Sequence, residues 1–170
     1  MSVFKAGWYL IYTRPNQERK VSHQLMERDV LTYLPLMKEK RKWSDRIKII
    51  IAPIFPSYVF VYVKTSLEFY ESVNVAGACG FVKFANEPAR ISESQIEHVR
   101  LMEQGGENIE VSDSYFYPGQ QLVINHGPLN GLTCEVVQYK GKKRLLVRID
   151  ILKRNILADL PSTAVTKCVG

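Results

Sequence analysis

Between residues 105 and 115 the chain gives up its apolar content and turns to Gly, Glu, Asn, Ser and Asp. A stretch of that composition is a poor contributor to a core and reads as a boundary between domains. The 170 residues are therefore expected to fold as two units, 1–104 and 116–170, joined by a connector over 105–115. A second unit near 50 residues is small enough that short strands suit it best.

The patterns on the two sides of this boundary differ. Before it, Trp8 to Thr13 is aromatic and β-branched, as a buried strand would be. Pro15 suits the first turn of a helix running to about Asp29, with Val21 and Leu25 facing inward at i, i+4. Leu31 to Met37, Ile49 to Ile51, Tyr58 to Val63 and Cys79 to Phe84 read as strands. Pro53 and Pro56 forbid regular central pairing between two of them and force an edge or a bend. A short helix is expected from Ser66, and Ser92-x-x-Gln95 has the form of a capping box opening a helix that stops at Gly105-Gly106. Strands and helices mixed in this order predict an α+β layer with one antiparallel sheet.

After the boundary come only short strands, over 121–125, 134–139, 145–152 and 156–160, broken by Gly-Pro-Leu-Asn-Gly and Lys-Gly-Lys-Lys turns. That spacing predicts a small all-β barrel. The segment from Leu145 supports two periods. Leu145, Val147, Ile149 and Ile151 alternate as a strand, whereas Leu145, Ile149, Leu152, Ile156 and Leu160 form a helical stripe. Gly141 and the β-branched residues favour the barrel as the resting form.

Charge enters next. Twenty-three Lys and Arg against seventeen Asp and Glu give net +6 and a pI near 9.2, which suits a polyanionic partner without proving one. Cys79, Cys134 and Cys168 are odd in number and far apart, so neither a disulfide framework nor a zinc site is expected. The residues before Trp8 lack the form of a signal peptide, and no apolar run is long enough to span a bilayer. A cytoplasmic protein is expected, working as a monomer away from membranes. His23, His98 and His126 stand in unrelated contexts and no nucleotide, nucleophile or zinc-hydrolase motif is present. Neither an enzyme nor a cofactor is expected.

Four segments carry a more specific signal. They are Trp8 to Tyr12; Ile54-Phe-Pro-Ser-Tyr-Val-Phe-Val61; Gly80-Phe-Val-Lys-Phe84; and Tyr117-Pro-Gly119 leading to Gly127-Pro-Leu-Asn-Gly131. In this order and spacing the chain resembles the NusG family of transcription elongation factors, and within it the specialised RfaH-type branch. The resemblance implies an NGN domain with an antiparallel sheet flanked by helices, then a KOW domain with an SH3-like barrel. It also implies that the NGN domain binds the clamp helices of RNA polymerase's largest subunit and suppresses pausing or termination on particular operons. The KOW domain would recruit ribosomal protein S10 or the termination factor Rho.

Residue by residue, alternation along 58–61 sends Val59 and Val61 to one face and Tyr58 and Phe60 to the other. With the valines under the helices, an open aromatic face is expected, and such faces mark interfaces. The resemblance then places polymerase contacts at Tyr12, Phe55, Pro56, Tyr58, Phe60 and Phe84. Phe69 and Tyr70 would touch the opposite pincer, although both also fit a core. Arg14, Gln17, Lys20 and Gln24, ordinarily a solvated helix face, would meet the non-template DNA strand of the transcription bubble. Pro15 departs from the RfaH type, where a basic residue is expected. The basic run containing Lys40, Arg41 and Lys42 would lie along duplex DNA as a hairpin arm. Gly127, Pro128 and Gly131 are expected to shape the KOW turn. Ile151, Leu152 and Arg154 would face the KOW partner. Cys134 stands where the KOW pattern has a further glycine, a loss shared with the RfaH type. Two rivals stay open, a general NusG linked to Rho and a KOW-type, ribosome-associated RNA-binding protein.

Overall fold

The computed structural model describes residues 4–161 and 166–168, so the far end of the expected second unit and the Cys168 thiol lie outside the described residues. The chain divides into two compact units, 1–93 and 94–170.

The first unit is built on β1 (Gly7–Thr13), which begins after Lys5-Ala6 and is buried at every position except Tyr12. Helix α1 (Glu18–Glu27) follows, and its Val21 and Leu25 are fully buried. It starts three residues after Pro15, later than the proline alone suggests, because Asn16 takes a positive φ of 62°. It ends in a Schellman arrangement, with Val30 N–H bonded to the Leu25 carbonyl and Asp29 N–H to that of Met26. Asp29 holds the left-handed position at φ 58°, where glycine is usual.

Next come β2 (Leu31–Tyr33), β3 (Leu36–Lys42), β4 (Ile47–Pro53) and β5 (Tyr58–Val63). The strand expected over 31–37 is split at Pro35, which supplies no N–H to a ladder. Helix α2 (Ser66–Ser72), β6 (Ala78–Phe81), β7 (Lys83–Phe84), β8 (Glu87–Pro88) and β9 (Arg90–Ile91) complete the unit. At the head of α2, Thr65 Oγ1 accepts from Glu68 N–H at 3.2 Å while the Glu68 carboxylate accepts from Lys64 N–H at 2.7 Å. The first bond satisfies a donor that the helix start leaves free, and the second ties the residue before the cap to the same turn.

The main sheet runs β2-β5-β1-β6, all antiparallel, and β9 shares with β6 the outer edge of β1. One face packs Tyr9, Ile11, Val59, Val61 and Val63 against Val21 and Leu25 of α1, with Val30 and Val75 closing the ends. Burying a side chain such as Leu25 contributes about 1.5–3 kcal/mol. β3 and β4 form a separate two-stranded ribbon, and β7 and β8 another.

The second unit begins in α3 (Glu93–Gly105), whose Ile96, Val99 and Met102 are buried. It continues through β10 (Glu110–Ser112), β11 (Gln120–Ile124), β12 (Thr133–Tyr139) and β13 (Lys142–Ile149). A 3-10 turn at Asp150–Leu152 precedes β14 (Arg154–Asp159), and β15 (Thr166–Cys168) is last. The sheet order is β10-β14-β13-β12-β11-β15. β12 and β13 meet in a two-residue turn with Lys140 at φ 49° and Gly141 at 78°. Both central residues thus take the positive φ of a tight hairpin turn. Of residues 145–160, which carry both periods, 145–149 and 154–159 form strands of this sheet on either side of the turn at 150–153. Phe116, Val137, Leu146 and Leu157 pack together, with Tyr139 at their margin.

Residues 105–115, read from composition as a connector, are tied into this second unit. β10 pairs with β14, Asp159 N–H donates to the Glu107 carbonyl at 2.9 Å, and the buried Arg144 side chain donates to the Asn108 carbonyl. Arg144 also lies 3.6 Å from Glu110 and 3.3 Å from Asp159. The Nε contact with Asp159 is an ion pair without hydrogen-bond alignment. Backbone pairing and one arginine hold to the sheet a segment whose composition reads as a boundary.

Candidate functional site

The site is built from β1 and β5 and from the turn that leads into β5. Tyr12 pairs with Tyr58, Leu10 with Phe60 and Trp8 with Tyr62, so these six side chains share the sheet face away from α1. The alternation expected from sequence is present: Val59 and Val61 point to the α1 side.

The openness of that face is not as expected. Phe60 is 1% exposed and Phe55 2%. Their rings sit edge to face at 6.0 Å, and Phe60 meets Tyr33 at 5.9 Å. A strand's alternation assigns a face and says nothing of what else packs there. The accessible part is narrower: Tyr12, 45% exposed, stands 5.5 Å from the partly buried Tyr58, and Pro56 is exposed. Phe84, 79% exposed, is on the separate β7–β8 ribbon, and among the described residues no ring contact joins it to the tyrosine pair.

A residue the sequence reading passed over holds this site in place. Glu18, in the first turn of α1, is buried, and its Oε1 accepts the Ser57 N–H at 2.7 Å. Ser57 takes a φ of 71°, and its carbonyl accepts from Thr13 N–H at 2.8 Å. Pro53 and Pro56 bend the chain as expected; the carboxylate of α1 and the end of β1 then fix where the bend points. Glutamate in a first helical turn is common for dipole reasons alone, so nothing local signalled a partner 39 residues on.

Of the aromatic pair on α2, Phe69 is a packing residue. It stacks on Phe81 at 4.4 Å and meets Tyr9 and Phe4 edge-on at 5.4 and 5.7 Å. Tyr70, 65% exposed, leans on Phe69 at 5.4 Å. Tyr70 is the more accessible of the two.

The polar helix face divides in the same way. Arg14 and Lys20 are exposed. Gln24 is spent on the turn beside it, its amide donating to the Ala76 carbonyl at 2.9 Å and accepting from Ala76 N–H at 3.3 Å. Gln17 packs on Gly77, where a Cβ would lie 3.0 Å from its own Cβ; Gly77 also has φ +95°. Both glutamines, partly buried, meet the 76–77 turn, whereas Arg14 and Lys20 are the exposed members of the expected DNA set.

Lys40, Arg41 and Lys42 are exposed on the β3–β4 ribbon. Register sends Lys40 and Lys42 to one side and Arg41 to the other, so the run is divided between the two sides of the ribbon. Arg19 braces the ribbon by donating to the Ile51 carbonyl at 2.9 Å.

In the second unit Gly127 and Gly131 have φ of 80° and 93° with open space around each Cβ, so their role is conformational. Asn130 N–H closes the turn on the Gly127 carbonyl, and Gly131 N–H bonds that of Ile124. Leu152 is buried, which leaves Ile151 and the exposed Arg154 to face outward. Cys134 is buried inside β12, and burial, followed by the neighbouring Glu135 charge, pushes its thiol up to about 11. Tyr115 and Tyr117, to which the sequence reading gave no contact role, are exposed with rings 5.2 Å apart.

Among the described residues no group of three His, Cys, Asp or Glu gathers as a metal site would need. No described helix is long and apolar enough to cross a membrane.

Comparison with known proteins agrees with the sequence resemblance at the family level. The family model described as transcription termination factor nusG matches residues 6–100. The chain is similar to the transcription termination/antitermination protein NusG of Rickettsia bellii, 25% identical over 94% of this chain and 89% of the relative. It is also similar to the protein of that name from Lactococcus lactis, 24% identical over 92% and 90%. Among solved structures it resembles Thermotoga maritima NusG with a TM-score of 0.51 and 19% identity, over 91% of this chain and 94% of that one. The family model spans β1 through most of α3 and so includes the tyrosine pair, its supporting glutamate and the basic ribbon: this chain belongs to the NusG family of transcription termination factors.

Proposed function

We propose that this chain is an RfaH-like elongation and antitermination factor that grips RNA polymerase through the sheet face at Tyr12, Pro56 and Tyr58. The grip would fall on the clamp helices of the largest subunit. The observation that carries the reading is the exposed tyrosine pair beside a turn whose geometry Glu18 holds. Rigid amphipathic rings on a fixed frame are the side chains from which binding hot spots are made. Phe55 and Phe60 support the site from beneath, while Phe84 and Tyr70 would touch polymerase elsewhere.

Arg14 and Lys20 would contact non-template DNA in the bubble, and Arg41 duplex DNA. The second unit would act as an SH3-like KOW barrel, with Ile151 and Arg154 facing a partner such as ribosomal protein S10 or Rho. Cys134 in the place of a glycine favours the operon-specific branch over the general factor. The relatives' shared description as termination/antitermination proteins keeps a Rho-linked termination role as the second reading.

Polymerase pull-down with wild type and with Tyr12→Ala plus Tyr58→Ala tests the central claim. Retrieval by wild type and loss in the variant, with unchanged thermal unfolding, is the expected result. Wild type that retrieves no polymerase ends the proposal.

A further inference from the structure

The β3–β4 ribbon has two unlike sides. Register places Lys38 opposite Ile51, Lys40 opposite Ile49 and Lys42 opposite Ile47. Directly opposed residues of an antiparallel pair project to the same side, as do alternate residues along a strand. One side therefore presents three lysines and three isoleucines with no acidic residue among them. Glu39, Arg41 and Lys48 fall on the other side, where Arg41 reaches Glu39 at 3.5 Å and Lys48 Nζ stands 5.2 Å from the Trp43 ring centre.

The isoleucine side is open. Ile47, Ile49 and Ile51 are 68%, 59% and 59% exposed, and the three lysines are exposed as well. None of the lysines has an ion-pair partner among the described residues. Ile50, on the opposite side, is partly buried, and the exposed Trp43 there is met by Lys48, so the exposed aliphatic row belongs to one side.

Chemistry narrows what can cover it. A second copy of the same side would set three lysines against three lysines, and like charges facing each other oppose pairing. Duplex DNA could take the ammonium groups but would leave the isoleucine row against phosphates with no apolar counterpart. A protein surface with an aliphatic stripe bordered by carboxylates satisfies both at once. Lysine stems lie along the stripe while their charged ends reach the border. We propose that this side of the arm docks an acidic, aliphatic-striped helix of a protein partner. The contact is smaller than a standard interface of roughly 800 Å² per partner, so it is a weak, transient one. It does not rest on the tyrosine site and stands or falls separately.

Fluorescence anisotropy on the full chain tests it, using a designed helical peptide with one leucine stripe bordered by glutamates. The controls are the same peptide with lysines for glutamates, a DNA duplex, and vesicles of mixed phosphatidylserine and phosphatidylcholine. The acidic peptide should bind and the lysine peptide should not. Ile47→Thr plus Ile49→Thr plus Ile51→Thr, which keeps β-branching, should weaken acidic-peptide binding about tenfold or more. Lys38→Gln plus Lys40→Gln plus Lys42→Gln should do likewise, while Lys48→Gln on the other side should not. Ile49→Thr alone is the fallback if the triple variant unfolds. The proposal is overturned if the acidic peptide does not bind or if its binding survives the isoleucine changes. It is equally overturned if those changes weaken vesicle or duplex binding instead.

Discussion

The Glu18 carboxylate accepts the amide of Ser57 at 2.7 Å, so the first turn of α1 dictates where the Phe-Pro-Ser-Tyr bend points. A residue at φ 71° without glycine is strained unless its surroundings hold it there. Glu18→Ala would remove the acceptor and leave a part-buried N–H unpaired, a loss of about 1–3 kcal/mol. Thermal unfolding should show the fall, and Glu18→Gln, which keeps an acceptor oxygen, should recover most of it. Equal losses in both variants would mean that the hydrogen bond is not what matters.

Side chains on one sheet face should separate into surface and core by mutation. Phe60→Ala should destabilise by about 3–5 kcal/mol, as buried aromatic truncations do. Tyr12→Ala should cost less than about 1 kcal/mol of folding stability while lowering polymerase retention. Urea unfolding of the two variants beside polymerase pull-down gives both numbers for each residue.

The α1 surface should divide in the opposite sense to its residue types. Arg14→Ala plus Lys20→Ala should reduce crosslinking to bubble DNA at unchanged stability, and the residual crosslinking should have a shallower salt dependence. Gln24→Ala should leave crosslinking alone and lower the unfolding midpoint, because it removes the two hydrogen bonds that tie Ala76 to α1. Crosslinking yield against salt for both variants distinguishes them.

Acid should weaken the second unit. The hydrogen bond from Lys140, helped by Tyr139 and the Lys140 and Arg144 charges, holds the Glu110 carboxyl below its ordinary 4.5. Burial pushes Glu135 up, but Arg148 at 2.6 Å and the Gly119 N–H at 2.9 Å outweigh it and leave this carboxyl lowered too. A carboxyl lowered on folding adds stability that is complete above its unfolded value and is lost as pH falls through the folded one. Unfolding midpoints should therefore hold from neutral pH to about pH 5 and fall below that. Glu135→Gln should flatten the acid limb; an unchanged limb would show that this pair adds nothing.

Much of the architecture was legible before any coordinates. Val59 and Val61 against Tyr58 and Phe60, and Val21 with Leu25, each declare a period, and period is a local property of a chain. What was not legible followed from partners far apart in sequence. Phe69 and Tyr70 look alike in the chain, yet one stacks on Phe81 and the other faces outward. Gln17 and Gln24 have the residue type of base-reading side chains, and nothing local shows that a turn more than fifty residues on also meets both. Lys40, Arg41 and Lys42 form one basic run in sequence and two sides in space.

The open aromatic face expected at Phe55, Phe60 and Tyr58 shows where that limit lies. By itself the sequence determined that aromatics and valines would take opposite sides of β5, because alternation is built into an extended backbone. Only the tertiary structure decided that Phe55 and Phe60 are buried, that Tyr12 and Tyr58 remain reachable, and that Glu18 holds the turn beside them. Burial is a sum over neighbours that the chain brings together from distant positions, and no local period encodes that sum.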